Sequence, residues 1–382
     1  MDSTMDTRKN RELIKSAKRI VVKVGTGVVR ADHGLDLGII DSLASQIAGI
    51  YDNGVEVILV SSGAVGAGMG KMGMEKRPEA MRQIQALAAI GQSSLMRYYE
   101  KAFEAHAKKS AQILLTRDDL AHRRRYLNAR NTLTTLLSWK CIPIINENDT
   151  VVVDELKFGD NDNLAAQIAH LMDADLLISL SDIDGLYTCD PKSNDNALLL
   201  HHVDSITKKT EQMACELPSA FGTGGMTSKI KAAKKVTMAG IPMIMANGKK
   251  HGVLAQIMDR ENIGTFFLPS RKRLTKKKCW IAWANKPKGV LMIDKGAALA
   301  LTEKNKSLLP VGVIMVEGNF GIGDTVEIIN KNRIAIGLGL ANYSAMDIIK
   351  IKGKKSGDIV AALGYKSHDD VVHRDNLVII PD

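Results

Sequence analysis

The sequence lacks the features that mark secreted and membrane proteins. Its four cysteines in 382 residues are far apart and form no Cys-x-x-Cys pair, so we interpret them as reduced thiols rather than as a zinc site or a disulfide framework. No run of about 18 apolar residues predicts a membrane span. Residues 1–11 are polar and charged, without the apolar core of a secretory signal. We therefore expect a cytoplasmic protein that does not associate with membranes.

Two common nucleotide-binding signatures are absent or misplaced. The pattern Gly-x-x-x-x-Gly-Lys-Ser/Thr does not occur, which argues against a P-loop. A Gly-x-Gly-x-x-Gly does occur at 68–73, but it begins several residues after the apolar run that ends at Val60. No acidic residue closes a second strand about 20 positions later, as a dinucleotide site requires. We interpret residues 68–73 as a flexible Gly/Met loop.

The net charge of +10 is distributed unevenly. Residues 271–382 hold 19 Lys and Arg against 11 Asp and Glu, a net charge of +8, so residues 1–270 carry only +2. Any affinity for a polyanion such as RNA would therefore belong to the C-terminal region.

Residues 1–270 alternate short apolar runs with longer amphipathic ones. This alternation predicts an α/β fold with a mostly parallel central sheet sandwiched by helices. The predicted strands are 20–24, 55–60, 113–115, 142–145, 176–180 and 242–245, and the predicted helices are 43–51, 81–107, 127–139, 164–172 and 227–239. Ligands of such sheets bind beyond the carboxyl ends of the strands. Polar or glycine-rich stretches follow the runs there, at 25–27, 61–63, 146–149 and 181–182.

The composition changes sharply at 271–278, Arg-Lys-Arg-Leu-Thr-Lys-Lys-Lys, which indicates a solvated basic linker. Beyond it, short β-prone runs alternate with glycine turns, as is typical of small β-barrels. We therefore predict a first domain at 1–270, a linker at 271–278, and a β-rich domain with a C-terminal tail at 279–382.

Two stretches are candidates for binding phosphate, which requires close backbone N–H groups and cations. Lys23, in the first predicted strand, is followed by Gly25, although a surface lysine before a turn has the same pattern. Residues 222–229, Gly-Thr-Gly-Gly-Met-Thr-Ser-Lys, open the predicted helix 227–239. Their glycines, hydroxyls and Lys229 could hold an anion at the helix N-terminus. A plain capped helix start is the alternative.

Two polar clusters flank a β-prone insertion. Asn146-Glu147-Asn148-Asp149 precedes residues 151–158, which predict a hairpin, and Asp160-Asn161-Asp162-Asn163 follows it. Turn and helix-cap chemistry is the ordinary explanation of such runs. Two clusters beside one hairpin also favour a ligand pocket, better suited to an amino group than to a carboxylate.

Together these motifs resemble the glutamate 5-kinase family of the amino-acid kinase superfamily. The resemblance covers residues 18–270 and rests, in order, on 22–26, 61–64, 146–149, 159–163, 181–182 with 185–187, and 222–229. The stretch from Leu309 to Ser344 resembles the small β-barrel-like PUA domain that many members carry. Aspartokinases resemble the first part but have a different regulatory module, and uridylate kinases lack the C-terminal part.

The resemblance implies phosphorylation of the γ-carboxylate of L-glutamate by ATP, the first step of proline biosynthesis. It implies that Lys23 and Lys229 neutralise the transferred phosphoryl group and that Asp162 organises both lysines. The glutamate-binding residues it implies are Ser62, Gly63, Asp149 and Asn161. The ATP-binding residues it implies are Lys23, Gly25, Ser181, Asp182, Thr223, Gly224, Gly225, Met226, Thr227, Ser228 and Lys229. Mg²⁺ would be carried on the phosphates of ATP rather than at a protein metal site.

Position 27 departs from the family pattern. It is Gly, where relatives often have Ser, so one hydroxyl near the phosphates is missing. Because the backbone N–H remains, we expect only a small effect on nucleotide contacts.

The resemblance also implies a homodimer or homotetramer, with glutamate-5-semialdehyde dehydrogenase as a candidate functional partner. Two other functions remain open. The chain could be a kinase for another amino acid or carboxylate, or an RNA-binding factor whose basic PUA-like domain is the working part. Glutamate-dependent release of ADP without RNA would separate these alternatives.

Overall fold

The computed structural model describes residues 11–31, 34–151, 161–191, 193–215, 225–270, 274–283 and 287–379. Thr223, Gly224, Asp160 and nearly all of the predicted hairpin lie outside these residues. The chain forms two compact units, Met1–Arg273 and Leu274–Asp382. Positions 276–278 of the predicted linker belong to a helix of the second unit, and the predicted domain boundaries at 270 and 279 stay predictions.

The first unit is built on an eight-stranded sheet with the order β5-β6-β4-β1-β7-β9-β10-β8. Neighbouring strands are parallel except for β9 and β10. The strands are β1 (Arg19–Val24), β4 (Glu56–Ser61), β5 (Lys109–Leu115), β6 (Cys141–Glu147), β7 (Leu176–Ser181), β8 (His202–Val203), β9 (Met243–Asn247) and β10 (Thr265–Phe267), and a separate ladder joins β2 (Arg30–Ala31) to β3 (Gly34–Leu35). The mostly parallel sheet confirms the predicted α/β class.

Helices flank this sheet. They are α1 (Thr26–Val29), α2 (Leu37–Asp52), α3 (Ala64–Lys71), α4 (Met81–Glu104), α5 (Arg117–Ala121), α6 (Arg123–Ser138), α7 (Asn161–Leu171), α8 (Lys208–Cys215), α9 (Met226–Met238) and α10 (Val253–Met258). The central strands β1, β4 and β7 are buried along nearly their whole length. Such burial explains why they occur as continuous apolar runs rather than as alternating patterns. In the part of the chain that the structure describes, no helix has the length and apolar content needed to cross a membrane.

The strand register brings three polar stretches to one edge of the sheet. Val24 at the end of β1 is level with Ser61 of β4 and with Leu180 of β7. Two backbone hydrogen bonds extend this alignment past the strand ends, because Gly25 N donates to the Leu180 carbonyl at 3.0 Å and Ser62 N donates to the Val24 carbonyl at 3.0 Å. The residues that follow β1, β4 and β7 therefore emerge side by side.

The interpretation of residues 68–73 as a flexible loop is wrong, because Gly68 lies within helix α3. A Cβ atom on Gly68 would lie 2.0 Å from the Leu87 carbonyl oxygen, and one on Gly91 of helix α4 would lie 1.9 Å from the Ala64 carbonyl oxygen. Glycine is a poor helix former, but here it lets the backbones of α3 and α4 touch. Close helix packing, not a loop, explains these glycines.

The second unit has its own five-stranded sheet and core. Its strands are β11 (Gly289–Ile293), β12 (Val313–Gly318), β13 (Thr325–Ile329), β14 (Ala335–Leu340) and β15 (Leu377–Ile379), in the order β12-β11-β13-β14-β15, and its helices are α11 (Lys276–Trp283), α12 (Lys295–Thr302), α13 (Ala345–Ile351) and α14 (Ile359–Leu363). β11 and β13 are parallel and the other pairs antiparallel. The short strands confirm the β-rich prediction for this region.

Candidate active site

A pocket lies where the carboxyl ends of the central strands meet. Nine of the predicted site residues line it: Lys23, Gly25, Ser62, Gly63, Asp149, Asn161, Ser181, Asp182 and Lys229. The fold thus brings together side chains that are up to about two hundred positions apart in the sequence, as expected for a site at the end of a parallel sheet.

The other predicted residues lie next to this pocket or outside the described chain. Gly225 precedes helix α9 as its N-cap, and Met226, Thr227 and Ser228 form its first turn. Met226 is buried, and Thr227 donates a hydrogen bond to the Ala214 carbonyl oxygen at 3.3 Å. Thr223 and Gly224 stay untested, since they are not among the described residues.

A buried carboxylate between two lysines forms the centre of the site. Asp162 Oδ1 lies 2.6 Å from Lys23 Nζ, and Asp162 Oδ2 lies 3.4 Å from Lys229 Nζ. Ser228 Oγ donates to Asp162 Oδ2 at 2.9 Å, and Ser179 Oγ donates to Oδ1 at 3.4 Å. Strand β1, helix α7 and helix α9 each contribute one charged member, so this cluster joins three separate elements.

The charges of this cluster keep Asp162 ionised. Burial of the carboxyl group acts to raise its pKa, but Lys23 and Lys229, with hydrogen bonds from Lys23 and Ser228, outweigh it and lower the pKa to about 2. This is below the ordinary aspartate value of 3.8. The ionised form therefore stabilises the fold at neutral pH, and this contribution is lost as the pH falls from about 4 towards about 2.

Asn161 lines the pocket and carries a buried hydrogen-bond acceptor. Its Nδ2 donates to Ser62 Oγ at 2.8 Å and to Asn146 Oδ1 at 2.9 Å, which fixes the orientation of the amide. Its Oδ1 is buried and has no hydrogen-bond partner among the described residues. A buried acceptor without a partner costs about 1–3 kcal/mol, so a ligand that donates an N–H group would be favoured here.

Asp149 adds a negative charge to the lining of the same pocket. It begins the short 3₁₀ helix Asp149–Val151 and is half-buried. Burial raises the pKa of Asp149 to about 6, although the nearby positive charge of Arg77 acts to lower it. Most Asp149 carboxyl groups are therefore ionised at pH 7, and an ammonium group is a suitable ligand.

Two glycines shape the pocket through the space they leave. Gly63 has φ of +118°, a left-handed conformation that favours glycine, and its Cβ would lie 3.0 Å from Val29 Cγ2. A Cβ on Gly27 would lie 2.9 Å from the Asp182 carboxylate. The expectation that Gly27 merely removes one hydroxyl is therefore incomplete, since glycine at this position also makes room for Asp182.

The sequence reasoning missed Arg30 and Arg77, which also line the pocket. Neither arginine belongs to a glycine-rich or amide-rich motif, and Arg77 lies in an irregular stretch before helix α4. No local pattern marks them, and only the folded chain reveals their position.

Comparison with known proteins agrees with the fold. Residues 18–247 match the amino acid kinase family and residues 289–363 match the PUA domain. This chain belongs to the amino acid kinase family.

Within that family the chain belongs with the glutamate 5-kinases. It is 48% identical over 371 residues to the glutamate 5-kinase of Geobacter sp. strain M21, covering 97% of this chain and 100% of the relative. It is 49% identical over 369 residues to the glutamate 5-kinase of Syntrophotalea carbinolica, covering 97% of this chain and 99% of that relative.

The buried cluster predicts a large loss of stability for Asp162→Ala. The change would leave two buried ammonium groups without their shared counter-ion, and such a loss typically costs about 3–5 kcal/mol. Urea unfolding at pH 7 measures the difference. Asp184→Ala is the control, because Asp184 pairs with Lys250 at a more exposed position and should cost about 1 kcal/mol or less. Equal stability of the two variants would contradict the assigned role of the cluster.

Proposed function

We propose that this chain transfers the γ-phosphoryl group of ATP to the γ-carboxylate of L-glutamate, the first step of proline biosynthesis. One observation carries the proposal. The same pocket is lined by two buried lysines and by two residues with acceptors for an ammonium group, Asp149 and Asn161. The names of the curated relatives support the same reaction.

The reaction needs no general base. A glutamate side chain has a reference pKa of about 4.3, so the attacking oxygen is already ionised at neutral pH. This oxygen forms a bond to the γ-phosphorus, the bond from that phosphorus to the β,γ-bridging oxygen breaks, and ADP leaves. The protein therefore has to align the reactants and stabilise the charge on the transferred group.

Lys23 and Lys229 stabilise the charge on the phosphoryl group in this proposal. Asp162 acts through them as a positioning residue, because its ion pairs fix both ammonium groups. Both ammonium groups line the pocket, where a cation favours an anionic ligand. The N-terminus of helix α9, which is 13 residues long, adds N–H groups and a partial positive charge.

The amino group of the substrate binds to Asp149 and to Asn161 Oδ1, while Ser62 and Gly63 form the adjoining wall. A neutral or acylated amino group would leave both acceptors without a donor. The arrangement thus favours a free amino acid over a simple dicarboxylate.

ATP binds along Gly25, Ser181 and Asp182 and along the segment 223–229. We further propose that Mg²⁺ accompanies ATP, because Mg²⁺ usually takes one or two carboxylates together with substrate phosphates. Asp182, which lines the pocket, would be a carboxylate able to contact the ion, whereas the sequence alone predicts no protein ligand for it. When bound, the ion would supply further neutralisation of the phosphate charge.

Three expectations about partners stay predictions. They are assembly into a homodimer or homotetramer, functional association with glutamate-5-semialdehyde dehydrogenase, and RNA binding by the PUA domain. The last has a testable basis in the net charge of +8 beyond residue 270, since contacts between basic side chains and phosphates dominate such affinity.

Trapping the acyl phosphate tests the proposed reaction. With Mg·ATP and L-glutamate, hydroxylamine should convert the product into γ-glutamyl hydroxamate, with release of ADP in equal amount. Aspartate, N-acetylglutamate and glutarate serve as comparison substrates. Equal or faster turnover of aspartate or N-acetylglutamate would show that the substrate is assigned incorrectly.

The raised pKa of Asp149 predicts that kcat/KM for L-glutamate depends on pH. Protonation removes the anion that holds the substrate ammonium, so kcat/KM for L-glutamate should fall as the pH decreases below about 6, the pKa of this group. Asp149→Asn should lower kcat/KM at pH 8 by about 10- to 100-fold, because a hydrogen bond to a charged group is lost. The same substitution should also remove the decrease in kcat/KM near pH 6.

The exposed Asp259 at the end of helix α10 provides a matched control. Asp259→Asn should keep both the kcat/KM at pH 8 and its decrease near pH 6. If the decrease near pH 6 persists in Asp149→Asn, another group is responsible for the titration.

A further inference from the structure

Four cationic side chains line the pocket, and they have different surroundings. Lys23 and Lys229 are buried and held by Asp162. Arg30 follows helix α1, close in the sequence to Gly25 and Gly27, and forms part of β2. Arg77 lies in the irregular stretch between α3 and α4 and is exposed. In the proposed reaction the two lysines serve the phosphoryl end, which leaves the two arginines as candidates to bind another anionic group.

The substrate of the proposed reaction carries a second anionic group. An amino acid has an ammonium and a carboxylate on the same α carbon, so a site for the ammonium also places the α-carboxylate a few bonds away. Asp149 would repel this carboxylate unless a cation stood beside it, since like charges at short range are unfavourable. A cation next to Asp149 would offset this repulsion.

Arg77 is a candidate for this cation. Arg77 and Asp149 line the same pocket, and the charge of Arg77 acts to lower the pKa of the Asp149 carboxyl group, against the larger effect of burial. Pro78 follows Arg77, and a residue before proline is biased towards extended backbone conformations. A guanidinium group also matches a carboxylate with two parallel hydrogen bonds.

We propose that Arg77 binds the α-carboxylate of the substrate and forms, with Asp149, a paired-charge site for the amino-acid head group. The inference rests on the proposed phosphorylation of L-glutamate and adds a residue that determines specificity for an α-amino acid. Arg77 then holds the substrate at the end opposite to the reacting γ-carboxylate.

Two substrate analogues separate the contacts of the head group. 4-Aminobutyrate lacks the α-carboxylate and glutarate lacks the ammonium, while both keep the carboxylate that would be phosphorylated. Arg77→Gln should lower kcat/KM for L-glutamate by about 10- to 100-fold and leave that for 4-aminobutyrate unchanged within about threefold. Arg77→Lys should recover part of the loss, because it keeps the charge without the paired hydrogen bonds.

The same analogues check the partner residue and the controls. Asp149→Asn should lower kcat/KM for L-glutamate and for 4-aminobutyrate but not for glutarate. Arg82→Gln, at an exposed position early in helix α4, should leave kcat/KM unchanged for all three compounds. Where an analogue turns over too slowly, its inhibition constant against L-glutamate gives the same comparison.

Two results would overturn the inference. An equal loss with L-glutamate and 4-aminobutyrate in Arg77→Gln would show that Arg77 only shapes the pocket. A loss confined to L-glutamate in Arg30→Gln, but absent in Arg77→Gln, would assign the α-carboxylate to Arg30. The wild-type protein tests the proposed reaction separately. If it binds L-glutamate in calorimetry but does not phosphorylate it, the proposed function fails, and the effect of Arg77→Gln on that binding still decides the role of Arg77.

Discussion

The ion cluster of Lys23, Asp162 and Lys229 is the interaction on which the rest of this site depends. Removing three charges from water is costly, and a buried ion pair repays this cost only when geometry and additional hydrogen bonds are favourable. Here Ser228 and Ser179 supply those bonds. Both ammonium groups also line the pocket, so the position of the two cations there depends on Asp162.

The parallel sheet determines where this cluster can act. Register between β1, β4 and β7 sets Lys23 level with Val60 and Ser179, and the chain beyond these strands supplies the pocket walls. Helix α7 then contributes two neighbouring residues with different tasks. Asn161 directs its amide nitrogen to Ser62 and Asn146, while Asp162 lies between the lysines. In the proposed reaction, adjacent positions on one helix would connect the amino-acid site to the phosphate site.

Much of the fold and the centre of the site could be predicted from the sequence, because buried parallel strands occur as continuous apolar runs and the phosphate and amide motifs are local. Two kinds of feature could not be predicted from the sequence. Gly68 suggested a loop, since glycine is unfavourable in helices, but packing of α3 on α4 overrode that preference. Arg77 belongs to no motif, and its proximity to Asp149 is a long-range consequence of folding. The buried acceptor on Asn161 likewise depends on how Ser62 and Asn146 hold the amide. Ser62 follows β4 and Asn146 lies in β6, so the two contacts form only when the chain folds.

The rate of phosphoryl transfer in Lys229→Met tests the central claim most directly. A single-turnover measurement at saturating Mg·ATP and L-glutamate isolates the chemical step from binding. The account predicts a decrease of at least about 10²-fold, the scale of losing a group that stabilises developing charge. Lys231→Met, an exposed lysine on the same helix, should keep the wild-type rate. A rate for Lys229→Met within about threefold of wild type, in a folded protein, would contradict the account.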